Sequence, residues 1–128
     1  MLIRSNDGKY CLEKSFDFAV RIVNLYKHLC NDKNEYVLSK QLLRSRTSID
    51  ANTNEAQAAQ SKNDFIAKMA IASKEARESK YWIELLIKTN YLEAHSKHTK
   101  SLLNEIEEIV KLLTSIVKSS QNDSKLNT

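Results

Sequence analysis

Residues Gln41–Ala56 read QLLRSRTSIDANTNEA. Leu38, Leu42, Ser45, Ile49, Asn52, Ala56 and Ala59 follow a 4-3-4-3-4-3 spacing, which is one face of an α-helix. An ordinary core helix carries Leu or Ile at most of those points. This one places a hydroxyl and a carboxamide there, and a buried polar group without a partner costs about 1–3 kcal/mol. Ser45 and Asn52 are therefore expected to meet specific partners inside the fold.

Outward from that stretch, the period predicts a helix over about 35–60. Ser61-Lys62-Asn63-Asp64 has the spacing of an N-capping box with Asp in the usual Glu position, so a tight turn precedes the next helix. That helix, about 62–89, repeats Phe65, Met69, Ala72, Ala76, Ser79, Ile83 and Leu86, with small residues at mid-length. Two helices that are small at their centres can approach closely there. Tyr81, Trp82 and Ile87 lie off the stripe. Asn90 suits a left-handed C-cap before the apolar Tyr91 and Leu92.

Toward the N-terminus, Ser15 is positioned to cap a first helix, with Asp17 in its first turn. Phe16, Ala19, Val23, Tyr26 and Cys30 form one stripe; Phe18, Ile22, Leu25 and Leu29 form another beside it. Asn31–Asn34 is a polar break. A fourth helix starts within 94–99 and runs to about Ser120, on Leu103, Ile106, Val110, Leu113 and Val117, widened by Leu102, Ile109, Leu112 and Ile116. The expected division is an irregular arm at 1–13, a bundle domain at 14–120 and a disordered tail at 121–128. The fold class is all-α, an antiparallel up-down-up-down four-helix bundle. Apolar faces wider than one core requires point to self-association.

The 128 residues suit one domain, and the absence of proline with a single glycine (Gly8) argues against a β-protein. The net charge of +4 allows anionic partners, but it is spread out. Cys11 and Cys30 are too few for a disulfide framework, so a reduced, cytoplasmic setting is expected. No apolar run suits a membrane span or a signal peptide.

Chemistry is sparse. His95-x-x-His98 beside Glu93 lacks the further ligands of a zinc site. Glu75-x-x-Glu78 and Glu105-x-x-Glu108 resemble the acidic pairs that hold magnesium in all-α nucleotide pyrophosphohydrolases. Yet Lys74, Arg77, Lys80 and Lys111 are near enough in sequence to neutralise them. No glycine-rich phosphate loop and no nucleophile–base pair is legible. No enzyme activity, cofactor or metal is expected.

The motifs QLLRS-x-TSI-x-ANTNEA (Gln41–Ala56) and DFIAKMAIASKEARESKYWIELL (Asp64–Leu86), with the weaker LLNEIEEIVKLLTSIVK (Leu102–Lys118), resemble the bacterial four-helix bundles encoded in intervening sequences of 23S ribosomal RNA genes. Relatives include the accessory variability protein of diversity-generating retroelements. The resemblance implies a non-catalytic bundle assembling as a homopentamer, with a basic surface that engages nucleic acid or a nucleoprotein. Ser45, Ser48, Asn52 and Glu55 match the helix-two motif; Lys74, Glu75, Ala76, Tyr81 and Trp82 match the helix-three motif. Arg46 stands where relatives usually have a small residue, and Asp50 where they usually have glycine.

Arg46 and Asp50 are four apart on the stripe beside the core, so they can pair. The expectation is that both lie at a solvent-accessible or loosened contact. Candidate RNA contacts are Arg44, Arg46, Lys62, Lys68, Lys74, Arg77 and Lys80. The alternatives are a purely structural, protein-interaction oligomer and the magnesium-dependent pyrophosphohydrolase.

Overall fold

The computed structural model describes residues 5–126, with side chains over 13–123. Helix α1 spans Ser5–Lys33, α2 Leu38–Gln57, α3 Lys62–Lys88 and α4 Lys97–Leu126. Each helix packs on its sequence neighbours and α4 returns to α1, while among the described residues the diagonal pairs α1/α3 and α2/α4 do not meet. That cyclic contact pattern is the pattern of an up-down four-helix bundle. Among the described residues, no helix is long and apolar enough to cross a membrane.

Two helices are longer than the sequence suggests. Helix α1 already runs from Ser5, through most of the segment expected to be an irregular arm. Gly8 costs a helix about 1 kcal/mol relative to alanine, which weakens the signal without breaking the helix. Ser15 is consequently no cap: it lies mid-helix and is buried. Helix α4 runs on to Leu126 across most of the expected tail, since neither Gly nor Pro stops it. Residues 1–4 and 127–128, and the Cys11 side chain, lie outside the description.

The core draws on one stripe per helix. In α1 it is Phe18, Ile22, Leu25 and Leu29; of the other stripe only Ala19 is fully buried, and Phe16 and Val23 are exposed. Helix α2 contributes Leu42, Ile49 and Ala56, α3 Phe65, Met69, Ala72, Ala76, Ile83 and Leu86, and α4 Leu102, Ile106, Ile109 and Leu113. Helix α4 is thus rotated slightly from its expected orientation, leaving Leu103, Val110 and Val117 half-buried.

The ends are set by local hydrogen bonds. The Ser61 hydroxyl accepts from the Asp64 N–H at 3.0 Å, and Asp64 Oδ2 accepts from the Gln60 N–H at 3.4 Å. Asn90 has φ of 69°, with the Asn90 N–H on Ile87 O at 3.0 Å and the Tyr91 N–H on Leu86 O at 2.9 Å. This is the paired bonding of a Schellman turn. Asn34, with φ of 54°, ends α1 in the same backbone region. The Glu35 carboxylate then caps α2 by accepting from the Leu38 and Ser39 N–H groups. Glu35 is buried and was expected inside α2; an anion at an N-terminus both satisfies open N–H groups and opposes the macrodipole.

Candidate interaction surface

The family-motif residues of α2 and α3 form the seam between those helices. Ser45 and Ser79 are fully buried, and their hydroxyls meet at 2.8 Å. Each also donates or shares a proton along its own helix, Ser45 to Leu42 O at 3.1 Å and Ser79 to Glu75 O at 3.0 Å. Asn52 is only half-buried; its Nδ2 donates to Ser48 O at 2.8 Å and Ser48 Oγ at 3.2 Å. Thr53 takes the buried position expected of Asn52 and donates to Ile49 O at 3.0 Å. Tyr81 packs edge-on against Trp82 at 5.1 Å, with Tyr81 exposed and the buried Trp82 Nε1 lacking a partner.

Most candidate RNA contacts are already engaged. Arg44 pairs with Glu78 at 2.5 Å and lies 3.6 Å from Glu75, while Lys68 pairs with Glu55 at 2.9 Å and Lys80 with Glu107 at 3.4 Å. The Glu55 contact raises the Lys68 pKa above its ordinary value, the direction expected when a hydrogen-bonded carboxylate stabilises the ammonium. Arg77 donates to the Thr114 hydroxyl at 3.0 Å and, like Lys62 and Lys74, reaches no described carboxylate.

Arg46 departs from expectation. It is 6% exposed, so it does not lie at a solvent-accessible contact. It pairs with Asp50, whose other oxygen accepts from Ser15 Oγ at 2.6 Å. The chain Ser15–Asp50–Arg46 therefore joins α1 to α2 within one protomer. Burial lowers the guanidinium pKa to about 10, and its buried Nε has no hydrogen-bond partner. The long aliphatic stem of arginine fills the inter-helix space while the i, i+4 carboxylate answers its charge. Arg46 is thereby removed from the RNA-contact set. Sequence reasoning missed Ser15 as a partner, although it shares the stripe of Phe18, Ile22 and Leu29.

The acidic pairs do not converge on a metal. Arg44 answers Glu75 and Glu78, Arg21 answers Glu105, and Lys14 pairs with Glu108 at 2.6 Å. Arg21 also donates to Ser101 Oγ at 3.1 Å and His98 O at 3.2 Å, tying α1 to α4. His95 and His98 are exposed. Among the described residues, no group of three or more His, Cys, Asp or Glu side chains is arranged to hold a metal.

What the surface offers instead is apolar. Among the described residues, the exposed large hydrophobics are Phe16, Val20 and Val23 on α1, Ile71 and Tyr81 on α3, and Tyr36 and Val37 before α2. Five of these seven lie on the outer faces of α1 and α3, which are diagonal helices and so face opposite sides of the bundle.

The sequence profile of the family described as 23S rRNA-intervening sequence protein matches residues 10–115. No curated protein matches. The chain is similar to a solved crystal structure of a protein with unknown function from the S23 ribosomal protein family of Bacteroides thetaiotaomicron VPI-5482. The two are 54% identical with a TM-score of 0.82, over 88% of this chain and 98% of that one. With the seam motifs, the four-helix ring and this match together, the chain belongs to the 23S rRNA-intervening sequence protein family, as a small all-α domain.

Proposed function

We propose that the protein is an assembly module: a bundle that associates with copies of itself and, so assembled, offers cationic side chains to RNA or a nucleoprotein partner. The observation that carries the first half is the concentration of exposed apolar side chains on two opposite helix faces. Scattered apolar residues are normal on a soluble surface, whereas aligned ones mark contact surfaces. A ring of five copies is the stoichiometry the family resemblance implies. Light scattering tests it: the expected mass is a multiple of 14.7 kDa, and a mass of 14.7 kDa across the micromolar range overturns the reading.

The RNA half rests on Lys62, Lys74 and Arg77, the three candidate cations with no described carboxylate partner, and on the family's tie to a ribosomal RNA gene. Three phosphate contacts give an affinity that falls about 20- to 40-fold between 50 and 200 mM salt, for single- and double-stranded RNA respectively. Titration of a labelled RNA checks this; no binding at low salt, or no salt dependence, removes it. The cytoplasmic setting is part of the same proposal, supported by the free thiol of Cys30.

A further inference from the structure

Two clefts flank Arg21, and they differ in how much of their polar lining is already used. In one, Lys14 pairs with Glu108 and Arg21 with Glu105, so its cations and carboxylates satisfy each other. The other, of about 520 Å³, lies where the C-terminal half of α1 passes the α3–α4 connection and the first turn of α4. Helices α1 and α4 are the most loosely packed neighbours in the bundle. Arg21 spans the gap between them through Ser101 Oγ, His98 O and Glu105, which sets the distance between the cleft's walls. The floor is apolar: Leu25 and Leu92 are buried, and Tyr91 packs on the core, fixed by the turn that ends α3. The rim is polar and largely unused. Asn24, Lys33, Glu93, the His98 ring and the Tyr91 hydroxyl have no partner among the described residues. His28 is held through Nδ1 by Asp32 at 2.7 Å, which leaves its Nε2 open.

Lys33 and Glu93 line this one cleft yet do not pair with each other. Opposite charges that share a cleft without meeting leave a bipolar space, suited to a ligand with an anion at one end and hydrogen-bond donors at the other. The apolar floor and the tyrosine and imidazole rings add a preference for a flat ring. A nucleotide has that form, and its base stacks on such side chains. The base is set by Glu93. A carboxylate only accepts hydrogen bonds, through two oxygens side by side. Guanine alone presents two adjacent N–H donors on its Watson–Crick edge; the other bases place an acceptor beside their donor, which a carboxylate repels. We propose that this cleft binds a guanine nucleotide, free or as an unpaired residue of an RNA strand. The base lies on Tyr91 with its Watson–Crick edge on Glu93, and the phosphate meets Lys33. The cleft's volume falls within the roughly 300–1,000 Å³ of small-ligand sites. The site is separate from the cations assigned to RNA above, because none of Lys62, Lys74 and Arg77 lines it.

The test is calorimetric titration of the full chain with guanosine monophosphate, adenosine monophosphate and guanosine. Wild type is expected to prefer the guanine monophosphate over the adenine one by about tenfold, the size of a bidentate base contact. Glu93→Gln is expected to abolish that preference. Lys33→Ala is expected to weaken the guanine monophosphate to the level of guanosine and to leave guanosine itself unmoved. Both side chains are exposed, and far-UV circular dichroism checks that each variant keeps its helices. Alanine at Lys62, Lys74 and Arg77 together is expected to leave nucleotide binding unchanged, so failure of the RNA surface and failure of this cleft are read separately. A single-stranded RNA with unpaired guanosines that displaces the monophosphate assigns the cleft to RNA; one that does not assigns it to the free nucleotide. No saturable binding of guanosine monophosphate at millimolar concentration overturns the proposal. Equal affinity for the two monophosphates overturns it too, as does wild-type binding by both variants. So does a dipeptide that binds where the nucleotide does not, its two termini bridging Lys33 and Glu93.

Discussion

The Ser45 and Ser79 hydroxyls lie 2.8 Å apart at the centre of the seam between α2 and α3, both without exposure to solvent. A small residue on each helix brings the backbones close, and the shared hydrogen bond satisfies the oxygens that closeness buries. Ser45→Ala and Ser79→Ala are each expected to cost about 1 kcal/mol. The double alanine variant should cost less than their sum, because it leaves no hydroxyl stranded. Urea unfolding of the four proteins measures the coupling. Ser45→Leu should cost about 1–3 kcal/mol through overpacking.

The Ser15–Asp50–Arg46 chain leads to an asymmetric prediction. Asp50→Ala leaves a buried guanidinium that already lacks a partner at Nε, and is expected to destabilise the fold by about 2–3 kcal/mol. Arg46→Met in that background should recover most of the loss, since it removes the orphaned charge and keeps much of the stem's volume. Denaturation midpoints of D50A and R46M/D50A decide it; equal midpoints would sink the argument.

The depressed Arg46 pKa also carries a pH signature. Folding disfavours the charged guanidinium, whose native pKa is lowered by burial to about 10, well below its ordinary value. Below pH 10 the group is charged in both states and its penalty is constant. From about pH 10 up to the ordinary guanidinium pKa the unfolded chain binds more protons than the native one, so this group's contribution to stability rises with pH. The rise is at most about 1.4 kcal/mol per pH unit. Melting wild type and Arg46→Met side by side from pH 8 to 11 cancels the other titrations. Wild type should gain on the variant only above pH 10.

Asn90 holds a positive φ that most residues adopt at a cost. Asn90→Ala is expected to lose about 1 kcal/mol, and Asn90→Gly to be neutral or slightly stabilising. Thermal unfolding of the two variants should order them with glycine above alanine.

Helix number, core stripes and several ends were legible in the chain by itself. Local chemistry dictates them: the 4-3 spacing around Ser45 and Ile49, the Ser61–Asp64 cap and the left-handed Asn90 act within one or two turns. The motif Gln41–Ala56 likewise carried the family. Tertiary structure alone decided which of two adjacent apolar stripes of α1 faced inward, because both have helical period and only the neighbouring helices choose between them. It buried Arg46, since solvation at a position beside the core depends on how closely α1 lies against α2. It also paired five cations, Lys14, Arg21, Arg44, Lys68 and Lys80, with carboxylates on other helices, partners 13 to 94 residues away that no local pattern announces.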